Sequence, residues 1–144
     1  MEGNRLNIRL AQTNDIPFLS AEDPHITVAI MQQKITMGEV LIALADHEPI
    51  GYLRWGWFWD NTPYMNMLFV LQLWRGKGVA TRLIAHWETL MQEGGAEFVL
   101  TSTLSNETSQ LLYRKCGYQD IGGFALPNEP LELILFKQIS ASGQ

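Results

Sequence analysis

The sequence is poor in the residues that build covalent cross-links and metal centres. Cys116 is the one cysteine among 144 residues, which excludes an internal disulfide and a cysteine cluster for a metal. The histidines His25, His47 and His86 lie far apart and have none of the short spacings typical of metal ligands. Cys116 follows Leu112 by one helical turn with no histidine nearby in sequence, so we interpret it as a small buried hydrophobe rather than a nucleophile. We expect no metal site.

Long apolar runs and concentrated positive charge are also missing. No run approaches the roughly 20 residues that span a bilayer. The opening residues, MEGNRLNIRLAQ, lack the apolar stretch of a signal peptide. The ten Lys and Arg are scattered and the net charge is −5, which argues against a nucleic-acid surface. We therefore expect no membrane or nucleic-acid partner and a cytoplasmic location.

What the chain does have is enough apolar material for a folded domain. Hydrophobic residues make up 47% of its 144 residues, and no internal repeat, linker or low-complexity segment interrupts them. We expect a single domain over residues 1–144, with the polar residues 140–144 forming a frayed tail.

Hydrophobic periodicity and turn residues predict alternating helices and strands. The predicted strands cover residues 6–10, 40–45, 50–59, 64–71, 98–103, 118–123 and 131–138. Thr13 or Asn14 caps a first helix that Asp23-Pro24 ends, and a second helix covers 27–37. A long helix ends near residue 93, and a last one is capped by Ser105 or Asn106. An antiparallel hairpin in the middle favours a mixed α/β fold over an all-parallel one.

The stretch from Val70 to Gln92 organises this pattern. It begins as an apolar run, passes through Arg75-Gly76-Lys77-Gly78 and becomes a helix without a break. Glycines let a ligand approach the backbone, and the N–H groups of the first helical turn have no intrahelical acceptor. An anion there gains charge-assisted hydrogen bonds of roughly 1.5–3 kcal/mol each, more than the helix dipole supplies. The stretch predicts a phosphate-binding turn.

Two common phosphate-binding motifs fit this turn poorly. It is too short for a dinucleotide fingerprint and lacks that motif's third glycine. A nucleotide-triphosphate P-loop ends in Gly-Lys-Ser/Thr, whereas Gly78 is followed by Val79.

Two motifs in combination resemble those of the GNAT superfamily of acyl-CoA-dependent N-acyltransferases. The run LFVLQLWRGKGVATRLI is similar to the family's coenzyme A motif, a strand leading into an Arg/Gln-x-x-Gly-x-Gly/Ala turn. Some thirty residues on, SNETSQLLYRKCGYQDIG is similar to its second motif, an Asn at a helix start followed by Tyr-x-x-x-Gly-Phe/Tyr. The matching positions are Arg75, Gly78 and Ala80 in the first motif and Asn106, Tyr113, Gly117 and Tyr118 in the second.

The resemblance implies a fold and an activity. The fold is α/β (α+β), with a largely antiparallel central sheet flanked by helices on both faces and a splayed strand pair that binds coenzyme A. The implied activity is acetyl transfer from acetyl-CoA to a primary amine of a small molecule, peptide or protein, with no metal. The sequence leaves open which amine is the acceptor and whether the chain forms a homodimer.

The resemblance also implies roles for individual residues. The cofactor-binding turn comprises Arg75, Gly76, Lys77, Gly78, Val79, Ala80 and Thr81, whose amides from Gly76 onward hold the pyrophosphate. Main-chain groups of Leu68, Phe69 and Val70 pair with the pantetheine arm, and the N–H near Val70 polarises the thioester carbonyl. Asn106 bonds the pantetheine amide, and Tyr113 protonates the departing thiolate.

The base that takes the amine proton is not evident from the sequence. The predicted strand 64–71 has no Glu or His, and its Tyr64 and Asn66 could only position a water. The Pro often found after this strand in the family is Gln72 here. A non-catalytic acyl-CoA-binding or sensing module therefore remains the alternative to an enzyme.

Other residues have both a structural and a functional interpretation. Arg75 and Lys77 are surface charges or phosphate contacts, Tyr113 is a packing residue or an acid, and Asn106 is a helix cap or a ligand contact.

In the strand at 50–59 we place Leu53, Trp55, Trp57 and Trp59 on one face and Tyr52, Arg54 and Phe58 on the other. Trp55 is expected in the core, and Trp57 and Trp59 near the acceptor. Glu22 and Asp23 either attract a cationic amine or form a charged loop.

Overall fold

The computed structural model describes residues 5–140, which contain seven β-strands and four α-helices. The strands are β1 Leu6–Leu10, β2 Val40–Ala45, β3 Glu48–Phe58, β4 Thr62–Val70, β5 Phe98–Leu104, β6 Gln119–Phe124 and β7 Glu132–Gln138. The helices are α1 Ile16–Glu22, α2 Val28–Thr36, α3 Val79–Glu93 and α4 Ser109–Lys115. Of the expected frayed tail, residues 141–144 lie outside the described residues.

The described strands form one sheet in the order β1-β2-β3-β4-β5-β7-β6. Pairing is antiparallel between β1 and β2, β2 and β3, β5 and β7, and β6 and β7. β4 and β5 run parallel. The expected mixed α/β fold with a largely antiparallel sheet is confirmed.

Residues 5–140 divide into two compact units. The first unit comprises residues 5–55 and 67–87, and the second comprises residues 56–66 and 88–140.

The core of the first unit forms around β2, all six residues of which are buried. Leu19 of α1 and Met31 of α2 belong to the same buried cluster. The Thr27 hydroxyl accepts a hydrogen bond from the Ile30 N–H at 3.2 Å and so begins α2. Gly38, at φ 71°, ends that helix in the left-handed conformation that its sequence position predicts.

Hydrogen bonds around Glu88 connect the elements of the second unit. Glu88, near the end of α3, accepts from the Tyr118 hydroxyl at 2.8 Å and from Lys137 Nζ at 2.8 Å. Tyr118 directly precedes β6 and Lys137 lies on β7, so one carboxylate joins the end of α3 to both strands. Its charge is compensated by the lysine.

Two predicted helix starts are wrong by a few residues. Before α1, Thr13–Asp15 form a short 3-10 turn, and the Asp15 carboxylate accepts from the backbone N–H of Gln12 at 2.7 Å. This bond closes the 3-10 turn. Asp15, and not Thr13 or Asn14, occupies the N-cap position of α1, and its side chain forms no capping hydrogen bond to that helix. At the other end of the chain α4 begins at Ser109, with Thr108 at its N-cap position, so neither Ser105 nor Asn106 caps it.

Candidate functional site

The connection between β4 and α3 carries the predicted phosphate-binding turn. The expectation that the strand passes into the helix without a break is wrong, because a 3-10 turn, Gln72–Trp74, comes first. Gly76 and Gly78 follow at φ 75° and 86°, a conformation that costs residues with a Cβ atom about 1–2 kcal/mol. A Cβ at either glycine would meet no atom within 4 Å. Glycine is therefore required here by backbone conformation, and the surface beside it is open.

The N–H groups at the start of α3 have no acceptor inside the helix. The hydrogen bond nearest the N-terminus of α3 runs from the Arg82 N–H to the Gly78 carbonyl oxygen at 3.1 Å. The N–H groups of Gly78, Val79, Ala80 and Thr81 precede that bond and are the unpaired donors of the first turn. Val79 is buried through its side chain, which anchors the turn, whereas Gly78 and Thr81 are exposed. These donors suit an anionic group.

Arg75 braces the turn against the end of β4. Its Nε donates to the Val70 carbonyl oxygen at 2.8 Å, and its guanidinium lies 5.9 Å from the centroid of the Phe69 ring. Arg75 is therefore an exposed charge that also binds the backbone, and its contact with phosphate stays a prediction. Lys77, between the two glycines, is exposed.

Gly51 lets the end of β4 approach β3 closely, which the sequence interpretation missed. A Cβ at Gly51 would lie 2.6 Å from the Phe69 carbonyl oxygen and 3.3 Å from Val70 Cα. A Cβ contact of 2.6 Å essentially never occurs in proteins, and here it would be with backbone, so glycine permits this approach. Next to it, the Leu71 N–H donates to the Ile50 carbonyl oxygen at 2.8 Å. Gly51 therefore determines how closely the backbone of Phe69 and Val70 approaches β3. Leu68, which precedes them on β4, is half-buried.

Tyr113, the predicted acid, lies on α4 in the second unit. It is 6% exposed, and its ring centroid lies 6.0 Å from that of Tyr118. Burial raises the pKa of Tyr113 to about 12, although a hydrogen bond with the Thr101 side chain opposes the shift. The Thr101 hydroxyl itself donates to the Met65 carbonyl oxygen at 3.0 Å. Tyr113 is therefore a buried, protonated phenol held against β5.

The turn before α4 is organised by Glu107 instead of Asn106. The Glu107 carboxylate accepts from the Thr103 hydroxyl at 3.1 Å and from the Leu104 N–H at 3.3 Å. The Thr103 hydroxyl also lies 2.9 Å from the Ser109 hydroxyl. Asn106 is exposed, and its side chain forms no recorded hydrogen bond within residues 5–140. Asn106 therefore does not cap α4, and its contact with a ligand stays a prediction.

The predicted acceptor residues lie in the second unit. Trp57 and Trp59 are 46% and 74% exposed. The shared face predicted for them is wrong, because Trp59 follows the end of β3 at φ 57° and its ring turns onto Phe58, with 4.6 Å between centroids. Phe58 in turn lies 5.8 Å from the Tyr64 ring. The structure therefore brings Trp59 and Tyr64 together through Phe58, which the sequence interpretation had not assigned to the site.

Tyr64 and Asn66 are two residues apart on β4 and share one face of the strand. Tyr64 is half-buried and Asn66 is exposed. Burial raises the pKa of the Tyr64 phenol, a hydrogen bond with the Ser102 side chain lowers it, and the charge of Glu132 raises it. The Tyr64 phenol therefore keeps its proton at neutral pH.

The acidic loop after α1 does not offer its Asp23 to a ligand. Asp23 is 2% exposed and accepts from Arg54 Nε at 2.9 Å and Nη2 at 3.4 Å. It also accepts from the His25 N–H at 3.1 Å. The interpretation of Asp23 as an amine attractor is wrong, because its carboxylate forms a buried ion pair with Arg54 of β3. Glu22 contributes its carbonyl oxygen, which accepts from the Tyr52 hydroxyl at 3.4 Å.

Two further expectations concern packing. Trp55 is 2% exposed, as expected for a core residue, and its ring centroid lies 6.4 Å from that of Trp87. Cys116 is half-buried directly after α4, so the expectation of a small buried hydrophobe is wrong in its burial. Within residues 5–140, no three His, Cys, Asp or Glu side chains are grouped to hold a metal ion. The same residues include no helix with the length and apolarity to cross a membrane. The cytoplasmic location stays a prediction.

Comparison with known sequences gives a family match. A family model described as the acetyltransferase (GNAT) family matches residues 10–118, well over half of the chain. No curated protein sequence matches the chain.

Solved structures share the fold at low sequence identity. Ard1 from Thermoplasma volcanium has a TM-score of 0.81 at 12% identity, and the match covers 93% of this chain and 97% of that one. The ribosomal-protein-S18-alanine N-acetyltransferase from Escherichia coli has a TM-score of 0.77 at 11% identity, covering 97% of each chain. PaiA N-acetyltransferase from Thermoplasma acidophilum, solved in complex with coenzyme A, has a TM-score of 0.74 at 14% identity, covering 93% of this chain and 99% of that one. At these identities the likeness shows the fold alone.

Proposed function

The chain belongs to the GNAT family of acetyltransferases, and we propose that it transfers an acetyl group from acetyl-CoA to a primary amine. In this proposal the amine attacks the thioester directly, without a covalent enzyme intermediate. The observation that carries it is the open turn at Gly76 and Gly78, which is followed by four N–H groups that have no acceptor inside the helix. The acceptor is a small amine or the amino group of a peptide or protein.

The turn would bind the coenzyme A pyrophosphate through main-chain donors. Each hydrogen bond from a turn N–H to a phosphate oxygen is worth roughly 1.5–3 kcal/mol. Lys77 would add a charge that solvent screens, because its side chain is exposed. Arg75 has a different role, since its Nε is already donating to Val70. It would hold the turn on the end of β4 and present its remaining N–H groups to phosphate.

The end of β4 would hold the pantetheine arm and the thioester. The main chain of Leu68, Phe69 and Val70 would pair with the arm as an added strand does. The N–H near Val70 would polarise the thioester carbonyl, because a carbonyl oxygen accepts from a donor such as a backbone N–H. Asn106, whose amide is exposed, would bond a pantetheine amide.

Tyr113 would donate its phenolic proton to the departing sulfur. With a pKa of about 12, the phenol keeps that proton throughout the neutral range. Full transfer to a thiolate whose conjugate thiol has a pKa near 8.5 is uphill by about 5 kcal/mol. The transfer is therefore coupled to loss of a proton from the attacking nitrogen, which restores the phenol. General acid catalysis of this kind contributes about 10²–10⁴ in rate.

Binding and turnover experiments test the proposal separately. Calorimetry should show that coenzyme A binds in preference to ATP and NAD, and a preference for either nucleotide would contradict the assignment of the turn. Thiol release from acetyl-CoA is then followed with ethylamine, phenethylamine, a lysine peptide and a peptide with N-terminal alanine. Release that depends on one of these amines supports the enzyme. Coenzyme A binding without release on any amine would favour the non-catalytic binding module.

A further inference from the structure

The hairpin between β3 and β4 holds a tryptophan in a backbone conformation that bulky side chains rarely adopt. Trp59 and Asp60 have φ of 57° and 62°, and the Asn61 N–H donates to the Phe58 carbonyl oxygen at 3.3 Å. The four residues form a β-turn with positive φ at both central positions, where Asn-Gly or Asp-Gly is the usual pair. A tryptophan at the first of these positions is strained. Strain that a fold retains in this way is concentrated at functional sites.

The strained turn sets an exposed ring on a support of other rings. The ring centroids of Trp59 and Phe58 are 4.6 Å apart, and those of Phe58 and Tyr64 are 5.8 Å apart. Phe58 and Tyr64 are half-buried, whereas Trp59 is 74% exposed. The contact with Phe58 therefore orients the indole while most of its surface stays in water. A ring held in this way loses little conformational entropy when it binds a ligand.

The second unit, to which this hairpin tip belongs, is the acidic part of the chain. Its sequence holds eight Asp and Glu against three Lys and Arg, which accounts for the whole net charge of −5. The potential around the unit therefore favours a positively charged partner.

Exposed carboxylates of this unit lie at the end of the sheet where the hairpin turns. Asp60 is the second central residue of the turn and is exposed. β4 and β5 are parallel, with Tyr64 opposite Leu100, so both strands begin at this end of the sheet. Glu97, which directly precedes β5, is also exposed. The hairpin tip is therefore acidic as well as aromatic.

The described chain supplies no cation to the exposed indole. The cation–π contacts recorded within residues 5–140 involve the rings of Phe69 and Tyr118, and none involves Trp59. Lys137, the cation of β7, donates to Glu88 at 2.8 Å. An indole face beside a carboxylate is thus exposed to a cation from outside this part of the chain.

We propose that the hairpin tip, Trp59 with Asp60, binds an arginine side chain of a partner protein. A guanidinium stacks flat on an aromatic face and can donate two hydrogen bonds to one carboxylate. The tip offers both groups on consecutive residues of one turn. Arginine suits this pair better than lysine, whose ammonium is a point charge without a plane to stack. The inference goes beyond the acetyltransferase function, and it assigns Trp59 to a protein contact, whereas the sequence prediction places it near the acceptor.

Two other occupants fit the tip less well. An apolar segment would cover Asp60 and take its charge out of water without a partner. A second copy of the chain would bring two Asp60 carboxylates and two acidic units together, and like charges at an interface are unfavourable.

An arginine peptide without a primary amine tests the proposal apart from acetyl transfer. Acetyl-Gly-Arg-Gly-amide is titrated into the isotope-labelled protein without acetyl-CoA, and NMR follows the indole N–H signals. The signal missing from Trp59→Asn identifies Trp59, and the indoles of Trp55 and Trp87, 2% and 0% exposed, are internal controls. We expect the Trp59 signal alone to shift. The citrulline peptide, which has nearly the same shape without the charge, should leave it in place.

Variants of the two tip residues separate the ring from the charge. Trp59→Asn and Asp60→Asn each introduce a residue that tolerates positive φ, so the turn is retained and the unfolding midpoint should not fall. Each should raise the Kd of the arginine peptide about two- to fivefold, as read from the Asn61 amide signal. At high salt the effect of Asp60→Asn should disappear and that of Trp59→Asn should remain.

Glu129→Gln is the matched control for the charge. Glu129 is an exposed carboxylate of the same unit that precedes β7, and β7 begins where β5 ends, away from the hairpin tip. Its variant changes the net charge by the same amount as Asp60→Asn and should leave the Kd unchanged. Equal increases in Kd for Glu129→Gln and Asp60→Asn would show an effect of net charge alone and overturn the role of Asp60.

The other occupants give different results, each of which would overturn the proposal. Equal shifts of the Trp59 signal with the arginine and citrulline peptides would show an apolar contact. A Trp59 signal that moves with protein concentration alone would show a second copy. A response to phenethylamine and none to the arginine peptide would return Trp59 to the acceptor site, and no response to either would show that the tip binds no cation. None of these readouts needs thiol release from acetyl-CoA, so failure of the proposed function and failure of this inference are separate outcomes.

Discussion

The guanidinium of Arg75 donates to the carbonyl oxygen of Val70 at 2.8 Å, so the glycine turn and the end of β4 form one braced segment. Two elements adjacent in sequence are thereby fixed relative to each other by a side chain between them. The turn and strand backbone are the groups proposed to hold the pyrophosphate and the pantetheine, so the brace links two parts of one ligand site.

Arg75→Ala and Lys77→Ala should weaken coenzyme A binding in different ways. Lys77 is exposed, so its contribution is electrostatic, and Lys77→Ala should raise Kd roughly three- to tenfold at low ionic strength and little at high salt. Arg75→Ala also loses the bond to Val70, so its effect should persist at high salt. Calorimetric titration with coenzyme A at two salt concentrations measures both. Identical salt dependence of the two variants would contradict the brace.

Gly78→Ala should weaken coenzyme A binding through backbone strain alone. Its φ is 86° and no atom lies within 4 Å of the added methyl, so the change costs about 1–2 kcal/mol without a clash. Gly38→Ala is the matched control, since Gly38 has φ 71° and equally open surroundings between α2 and β2. Urea unfolding should show similar destabilisation in both variants. Only Gly78→Ala should raise the Kd for coenzyme A, and equal Kd values would remove the turn from the site.

Asp23→Ala should destabilise the fold strongly. The side chains of Arg54 and Asp23 are 7% and 0% exposed, so the variant leaves a buried, uncompensated guanidinium. Breaking such a pair costs about 3–5 kcal/mol. Asp120→Ala breaks an ion pair in which the side chains of Asp120 and Arg114 are 46% and 39% exposed, so little change in the free energy of unfolding is expected. Urea unfolding measures the free energy of unfolding of the two variants, and an equal decrease in both would contradict the argument from burial.

The acid sensitivity of the fold should depend in part on Asp15. Burial alone would raise the pKa of Asp15, but hydrogen bonds from Arg9 and the Gln12 N–H outweigh it, so the pKa is lowered. A carboxyl whose pKa is lowered in the folded state stabilises the fold at pH values above its pKa in the unfolded chain, about 3.9. This stabilisation is lost as the pH falls through the pKa of the folded state. Asp15→Asn should therefore flatten the stability curve below about pH 4. Urea unfolding at several pH values checks this, with the exposed Asp60→Asn as a control that should keep the slope.

Local signals in the sequence predict most of the fold but only part of the site. The strands, the end of α2 at Gly38 and the glycine turn depend on nearby residues, and the structure places them within a few residues of the predictions. The buried pair of Asp23 and Arg54 depends on residues 31 apart, and nothing local distinguishes Asp23 from a loop carboxylate. The contact between the Phe58 and Tyr64 rings depends on strand order and register, which hydrophobic periodicity does not specify. The close approach at Gly51 is equally a property of strand packing.

The most direct test of the account is thiol release from acetyl-CoA, driven by a primary amine, in the unmodified protein and in Tyr113→Phe. Tyr118→Phe is the matched control, because its ring packs against Tyr113 but its hydroxyl is bound to Glu88. We predict amine-dependent release that falls about 10²–10⁴-fold in Tyr113→Phe, with coenzyme A binding retained. Tyr118→Phe should keep most of the rate. Release that is unchanged in Tyr113→Phe would contradict its role as the acid, and coenzyme A binding without any amine-dependent release would contradict the proposed acetyl transfer.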